Sequence, residues 1–268
     1  MTTPETRFIP GRPRLAVDVL GTGPLVVFMH GIGGNRTNWR DQLAAFAAHF
    51  TAAAWDARGY GKSEDYEGPL DFADFSGDLL RLIDHFRADR AHLVGLSMGG
   101  RIAMDFHERH PERIASLTLC DTRAGLGSMT DEQRREFIRL RQEPLLAGKE
   151  PGDIAPAVAR TLVSPHAVAG SYERLVESMT QLHKESYLKS IATSVAYRRE
   201  VQLEKVKVPT HVVVGADDTL TPPSVSRDMA ARIPDAKLTI IEQAGHLSNI
   251  EQPQRFNAAV LGFLRGLG

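Results

Sequence analysis

Ser97 lies in Gly95-Leu96-Ser97-Met98-Gly99, a G-x-S-x-G spacing between the apolar run "AHLVGL" and the helix-like "GRIAMDFHER". A serine on a sharp strand-to-helix turn lifts its Oγ clear of the sheet, and flanking glycines remove side chains that would collide there. A hydroxyl is a weak nucleophile at neutral pH, so this chemistry needs a base within reach and an acid to orient that base. On such a turn the partners follow in the order Ser, Asp or Glu, His. Two later segments supply them: "VVVGADDTLTPP" offers Asp217 and Asp218, and "IIEQAGHLSNIEQP" offers His246. The competing reading of Ser97 is a simple N-cap for the helix behind it.

Bringing the three side chains together requires strands that end at one edge, where open α/β sheets bind ligands. The sequence has the right rhythm. "RLAVDVLG", "PLVVFMHG", "FTAAAWDARG", "AHLVGLS" and "IASLTLCDT" read as strands, and "DFSGDLLRLIDHF" and "GRIAMDFHERHPER" as helices between them. Nearly continuous apolar runs such as "LVVFM" predict parallel strands covered on both faces, hence an α/β fold with a mostly parallel central sheet flanked by helices. From residue 126 to 200 the pattern becomes helical and polar, opening on Thr130 with Gln133 three residues on, a capping box. Pro144, Pro151, Pro156 and Pro165 are expected to break this stretch into short helices. It reads as a helical cap inserted into a core made of residues 1–125 and 201–268, where strand and helix resume with "PTHVVVGADD", "SVSRDMAARIP", "AKLTIIEQAGH" and "RFNAAVLGFLRGL".

Composition narrows the function. A formal net charge of −1 over 268 residues gives no basic field for nucleic acid and no acidic arm. No apolar run approaches the roughly 18 residues of a membrane span, and the first residues lack a signal-type apolar block, so the expected residence is cytoplasmic. The one cysteine, Cys120, excludes an internal disulfide and reads as a small buried hydrophobe. No H-E-x-x-H or cysteine cluster calls for a metal, and "GYGKS" lacks the first glycine of a phosphate loop, so the expected chemistry uses neither metal nor other cofactor.

Five motifs in order, "HGIGGN", "DARGYGKS", "GLSMGG", "GADDTLTP" and "AGHLSNIEQP", give the whole chain a resemblance to the α/β-hydrolases. In that family's G-x-x-D turn the acid is the fourth residue, which selects Asp218 and leaves Asp217 as a solvated or turn-stabilising neighbour. The backbone N–H of Met98, at the start of a helix behind the nucleophile, is one expected oxyanion donor. The resemblance implies the N–H of Ile32 as the second. "GLSMGG", "TPP" and "AGHLSNIEQPQRFN" further resemble 3-oxoadipate enol-lactonases and related small carboxylesterases. "DARGYGKS" reads as structural, with Asp56 and Arg58 expected to pair across the loop.

The aspartate nucleophile of dehalogenases and epoxide hydrolases on this fold is replaced here by Ser97. The meta-cleavage carbon–carbon hydrolases carry a glycine-proline-glycine loop and a tryptophan after the histidine, where this chain has "GIGG" and Leu247. With all three positions filled, a non-catalytic binding protein is the less favoured alternative. The expected partner is therefore a small ester or lactone. The cap would select it, and with 11 Lys/Arg against 10 Asp/Glu between 126 and 200 it has no overall charge bias. Arg123 is the candidate cation for a substrate carboxylate and Trp39 the candidate aromatic contact. Their plainer readings are a solvated surface charge and helix packing.

Overall fold

The computed structural model describes residues 3–125, 130–197 and 201–267. Eight strands form one sheet: β1 (Glu5–Ile9), β2 (Leu15–Leu20), β3 (Leu25–Met29), β4 (Thr51–Trp55), β5 (Ala91–Leu96), β6 (Ile114–Cys120), β7 (Thr210–Gly215) and β8 (Lys237–Ile241). Their spatial order is β1-β2-β4-β3-β5-β6-β7-β8. β1 and β2 are antiparallel to each other and β2 is antiparallel to β4, while every pairing from β4 onward is parallel. β3 and β7 are buried at every residue, which is why they carry unbroken "LVVFM" and "HVVVG" runs. β1 is the strand that hydrophobic patterning missed. Its "ETRFI" is largely exposed along the sheet edge, so it shows no apolar signature.

The helices flanking the sheet are α1 (Arg40–Phe46), α2 (Phe72–His85), α3 (Met98–Arg109), and, after the insertion, α8 (Pro223–Arg232), α9 (Ser248–Glu251) and α10 (Pro253–Arg265). α2 packs on α3, and α1 on α10. Asp71 caps α2 through a reciprocal box with Asp74, and the helix buries Phe75, Leu79, Leu82 and Ile83. The largest buried side chains, among them Trp39, Trp55, Phe28 and Phe46, belong to one core cluster around β3 and β4.

Between β6 and β7 the chain inserts α4 (Asp131–Leu146), α5 (Pro151–Arg160), α6 (Ser171–Thr180) and α7 (Lys184–Ala196). α5 packs on α6, and α4 on α5 and α7. The Thr130–Gln133 capping box opens α4. The expected limits of this segment at 126 and 200 lie outside the described residues. The proline reading needs correction. Pro144 and Pro156 sit inside α4 and α5 rather than ending them. Each removes one backbone donor, and burial of Leu145 in α4 and of Ile154, Ala155 and Val158 in α5 outweighs that loss. Among the described residues no helix is long and apolar enough to cross a membrane.

Candidate active site

Ser97 sits between β5 and α3 with φ 55° and ψ −111°, a left-handed backbone that a side chain adopts only at a cost. The turn closes because Gly95 lies against the backbone of Gly99, and Gly99 against the Met29 carbonyl at the end of β3; a methyl group at either would overlap backbone. Ser97 makes no side-chain cap bond to α3. The capping alternative therefore fails, and the hydroxyl faces away from its own helix.

The hydroxyl instead meets a histidine 149 residues downstream. Ser97 Oγ lies 2.9 Å from His246 Nε2, and His246 Nδ1 lies 2.9 Å from Asp218 Oδ2. An ionised Asp218 accepts from Nδ1–H, which leaves Nε2 free to accept from the serine. Asp218 is fixed on its other oxygen, where Oδ1 accepts from the N–H groups of Leu220 (2.8 Å) and Thr221 (2.9 Å). Thr221 Oγ1 adds a 2.5 Å bond to Oδ2. Burial would raise the Asp218 pKa, but the His246 charge and these donors hold it below the ordinary carboxylate value. Burial would lower His246, yet Asp218 beside it holds the imidazole above its ordinary value. Asp217 faces outward from the same turn and accepts from Ser164 Oγ at 2.5 Å.

Two carboxylates that sequence reasoning did not single out brace this chain. Asp121, at the end of β6, is fully buried; its Oδ1 accepts from Gly215 N–H at 2.8 Å and its Oδ2 from Ser248 Oγ at 2.5 Å. It thereby ties the end of β7 to the segment after His246. Burial and the Asp218 charge push its pKa up, against the pull of these donors. Glu251 accepts from three backbone groups around His246: Ser164 N–H (2.7 Å), Gly245 N–H (2.8 Å) and Leu247 N–H (2.9 Å). Replacing Glu251 with alanine strands three buried donors. The expected loss is about 3 kcal/mol or more, with Glu251→Gln, which keeps one acceptor oxygen, costing less. Urea unfolding of the two variants measures the difference.

The loop after β3 covers the other side of Ser97. His30 Nε2 accepts from Ala57 N–H at 3.1 Å and its Nδ1 faces the Gly31 carbonyl at 2.8 Å, so this buried ring is a neutral clamp, with its pKa lowered by desolvation. Gly31 packs against the Ser97 side chain, which brings Ile32 to the same pocket as Met98. Among the described residues, neither the Ile32 nor the Met98 N–H donates to a protein acceptor. The Met98 N–H is one of the orphan donors that open any helix.

The "DARGYGKS" loop corrects an expectation. Asp56 and Arg58 do not pair. The Asp56 carboxylate is saturated by Arg36 (2.5 Å to Nη1), Arg36 N–H and Lys62 N–H (both 2.8 Å). Arg58 instead forks onto buried Asp78 of α2 at 2.7 and 2.8 Å. The loop is therefore held both by its own Lys62 N–H and by Arg36 and Asp78 from elsewhere in the chain.

One pocket collects these groups. Ser97 and His246 lie in its wall with Ile32, Met98, Leu96 and Leu247 from the core, and Phe137, Leu162, Leu175 and Val195 come from the inserted segment. Trp39 lines it while fully buried on Phe28 and Phe256, at ring distances of 5.1 and 6.1 Å. Arg123 is not a surface charge. It is 5% exposed, lines the pocket and donates to the Leu220 carbonyl. Burial lowers its pKa, opposed by the charge of Asp218.

A mostly parallel sheet carrying a strained serine turn, with a histidine and an aspartate hydrogen-bonded behind it, defines a hydrolase of the α/β type. The family model for the alpha/beta hydrolase fold matches residues 24–253, and the chain belongs to that family. A relative in Azorhizobium caulinodans that carries the name carbamate hydrolase RutD is 29% identical over 258 residues, 94% of this chain and 96% of the relative. The 3-oxoadipate enol-lactonase 2 of Acinetobacter baylyi is 29% identical over 240 residues, 88% of this chain and 87% of its own. Among solved structures, a thermophilic esterase from Thermogutta terrifontis, described as malate bound, superposes with a TM-score of 0.86 at 29% identity, covering 99% of each chain.

Proposed function

We propose that the protein is a serine hydrolase that cleaves a small carboxylic ester or lactone through an acyl-enzyme. The observation that carries this reading is the hydrogen-bonded chain Ser97–His246–Asp218 opening into the pocket. His246 takes the Ser97 proton as Oγ attacks the carbonyl carbon, and Asp218 holds the reactive tautomer and stabilises the imidazolium. The Met98 and Ile32 N–H groups receive the oxyanion; donors fixed in advance are worth about 10²- to 10³-fold each in rate. His246 then protonates the leaving oxygen, and the same nitrogen activates water to release the acid. In a lactone the leaving oxygen stays tethered, so water must reach the acyl-enzyme before the ring recloses. In this reading the segment 126–200 acts as the cap, and its pocket side chains choose the substrate.

A fluorophosphonate probe tests the reading directly. The expected result is one covalent adduct, mapped to Ser97 by mass spectrometry and suppressed at acid pH as His246, whose pKa is raised by Asp218, becomes protonated. An unlabelled protein, under conditions that label a control esterase, would leave the non-catalytic binding role in its place. Turnover of a vinylogous 1,5-diketone in preference to esters and lactones would move the assignment to carbon–carbon bond hydrolysis.

A further inference from the structure

Among the described residues, two buried guanidinium groups in the pocket wall have no ion-pair partner. Arg101, on α3 one helical turn beyond Ser97, is 8% exposed, and Arg141, on α4, is 3% exposed; both line the pocket. Neither forms an ion pair among the described residues. Arg101 donates through Nη2 to the Ser194 carbonyl at 3.2 Å, lies over the rings of Phe72 and Tyr197, and leaves its buried Nε without an acceptor. Arg141 lies over Phe137 beside the neutral Tyr187 hydroxyl. Glu136 is near enough to feel its charge but spends both oxygens on Arg139 at the surface.

Burying a cation without a counter-charge is unfavourable unless something in the site repays it. Here the cations also reinforce one another. Burial lowers the Arg101 pKa to about 10, with Tyr197 opposing the shift and the Arg123 charge adding to it, and the Arg141 charge acts to lower that of His246. Arg101 still remains charged at neutral pH. Three guanidinium-bearing side chains, one each from α3, the end of β6 and α4, therefore share a largely apolar pocket with Ser97. An arrangement of this kind favours an anion, and the planar forked donors of arginine match a carboxylate.

We propose that Arg101 and Arg141 form a carboxylate-binding subsite, and that the substrate is an ester or lactone whose acyl part carries a second carboxylate. This rests on the Ser97 hydrolase reading and narrows it. The acid released is then a dicarboxylate. The apolar wall of Phe137, Leu162, Leu175 and Val195 accommodates the methylenes between the two ends.

The test compares mono-4-nitrophenyl esters of glutarate, adipate and pimelate with the corresponding methyl 4-nitrophenyl diesters. The reading is kcat/KM after subtraction of Ser97→Ala. The expected preference for the acid is about 30-fold or more at the best chain length, as charge-assisted hydrogen bonds inside a low-dielectric pocket imply. Arg141→Gln and Arg101→Gln should each reduce that ratio at least tenfold, while Arg141→Lys restores a substantial part of it. A wild-type ratio near or below one, or a ratio unchanged in both glutamine variants, overturns the subsite. A second measurement does not depend on turnover or on folding of the variants: free dicarboxylates of the same lengths should raise the wild-type Tm, and their dimethyl esters should not. Failure of the hydrolase reading looks different. Neither ester series would then be cleaved in a Ser97-dependent way, while dicarboxylate binding would still decide the subsite.

Discussion

Ser97→Ala is expected to lower kcat for 4-nitrophenyl butyrate by about 10⁵- to 10⁶-fold while leaving the fold intact. The size follows from the position of the hydroxyl. Among the described residues its Oγ is the one group bonded to His246 Nε2, at 2.9 Å, and nothing else in the turn can take over the attack. Residual turnover then reflects only the pocket and the backbone donors, which keep about 10³- to 10⁴-fold over water in such sites. Stability should barely change, because alanine keeps the Cβ at φ 55° and Ser97 makes no cap bond to α3. Ser97→Gly sharpens the point: it relieves a left-handed strain of about 1–2 kcal/mol, offset in part by glycine's extra unfolded-state entropy. A glycine variant that is equally dead yet no less stable shows that the turn is strained for the sake of the hydroxyl. An alanine variant retaining a tenth of wild-type activity would remove Ser97 from the chemistry.

How much of this site could be read before the structure depends on how local each feature is. The serine turn was legible because "GLSMGG" demands a particular backbone, and two of its glycines do meet backbone atoms. Asp218 and His246 stood out because each follows closely on a strand that hydrophobic runs reveal. The supports were not legible. Asp121 and Glu251 look like ordinary polar residues at element ends, and what makes them matter is burial against N–H groups from distant segments. Nothing in the sequence marks Arg101 and Arg141 out from the other arginines of the chain; only the packing of the inserted helices against the core places both in the pocket wall. The mistaken Asp56–Arg58 pair shows the same limit from the other side. Two opposite charges close in sequence found better partners in Arg36 and Asp78, reached only through the tertiary fold. β1 was hidden because an exposed edge strand needs no apolar pattern.

Asp218→Asn should cost about 10⁴-fold in kcat even though it preserves shape almost completely. The reason lies in which oxygen the backbone holds. Oδ1 accepts from Leu220 and Thr221 N–H, so an asparagine carbonyl settles there, and its NH₂ takes the Oδ2 position facing His246. That amide donates to Nδ1 and forces the proton onto Nε2, where it points at Ser97 and can no longer accept from it. The pH dependence follows with a definite sign. In the wild type, Asp218 holds the His246 pKa above 6.5, so the rising limb of kcat/KM lies on the alkaline side of that value. Removing the negative charge destabilises the imidazolium, so the histidine titrates at lower pH in the variant, and the residual activity saturates earlier. Imidazole NMR titration of His246 checks the shift, and the pH–rate profile checks its consequence. Asp217→Asn supplies the control from the same turn: it touches Ser164 rather than His246, and its effect should stay within about threefold, the scale of an exposed substitution. Equal losses from the two aspartates, or an unshifted histidine in Asp218→Asn, would mean that the acid holding His246 lies elsewhere, with buried Asp121 next to be tested.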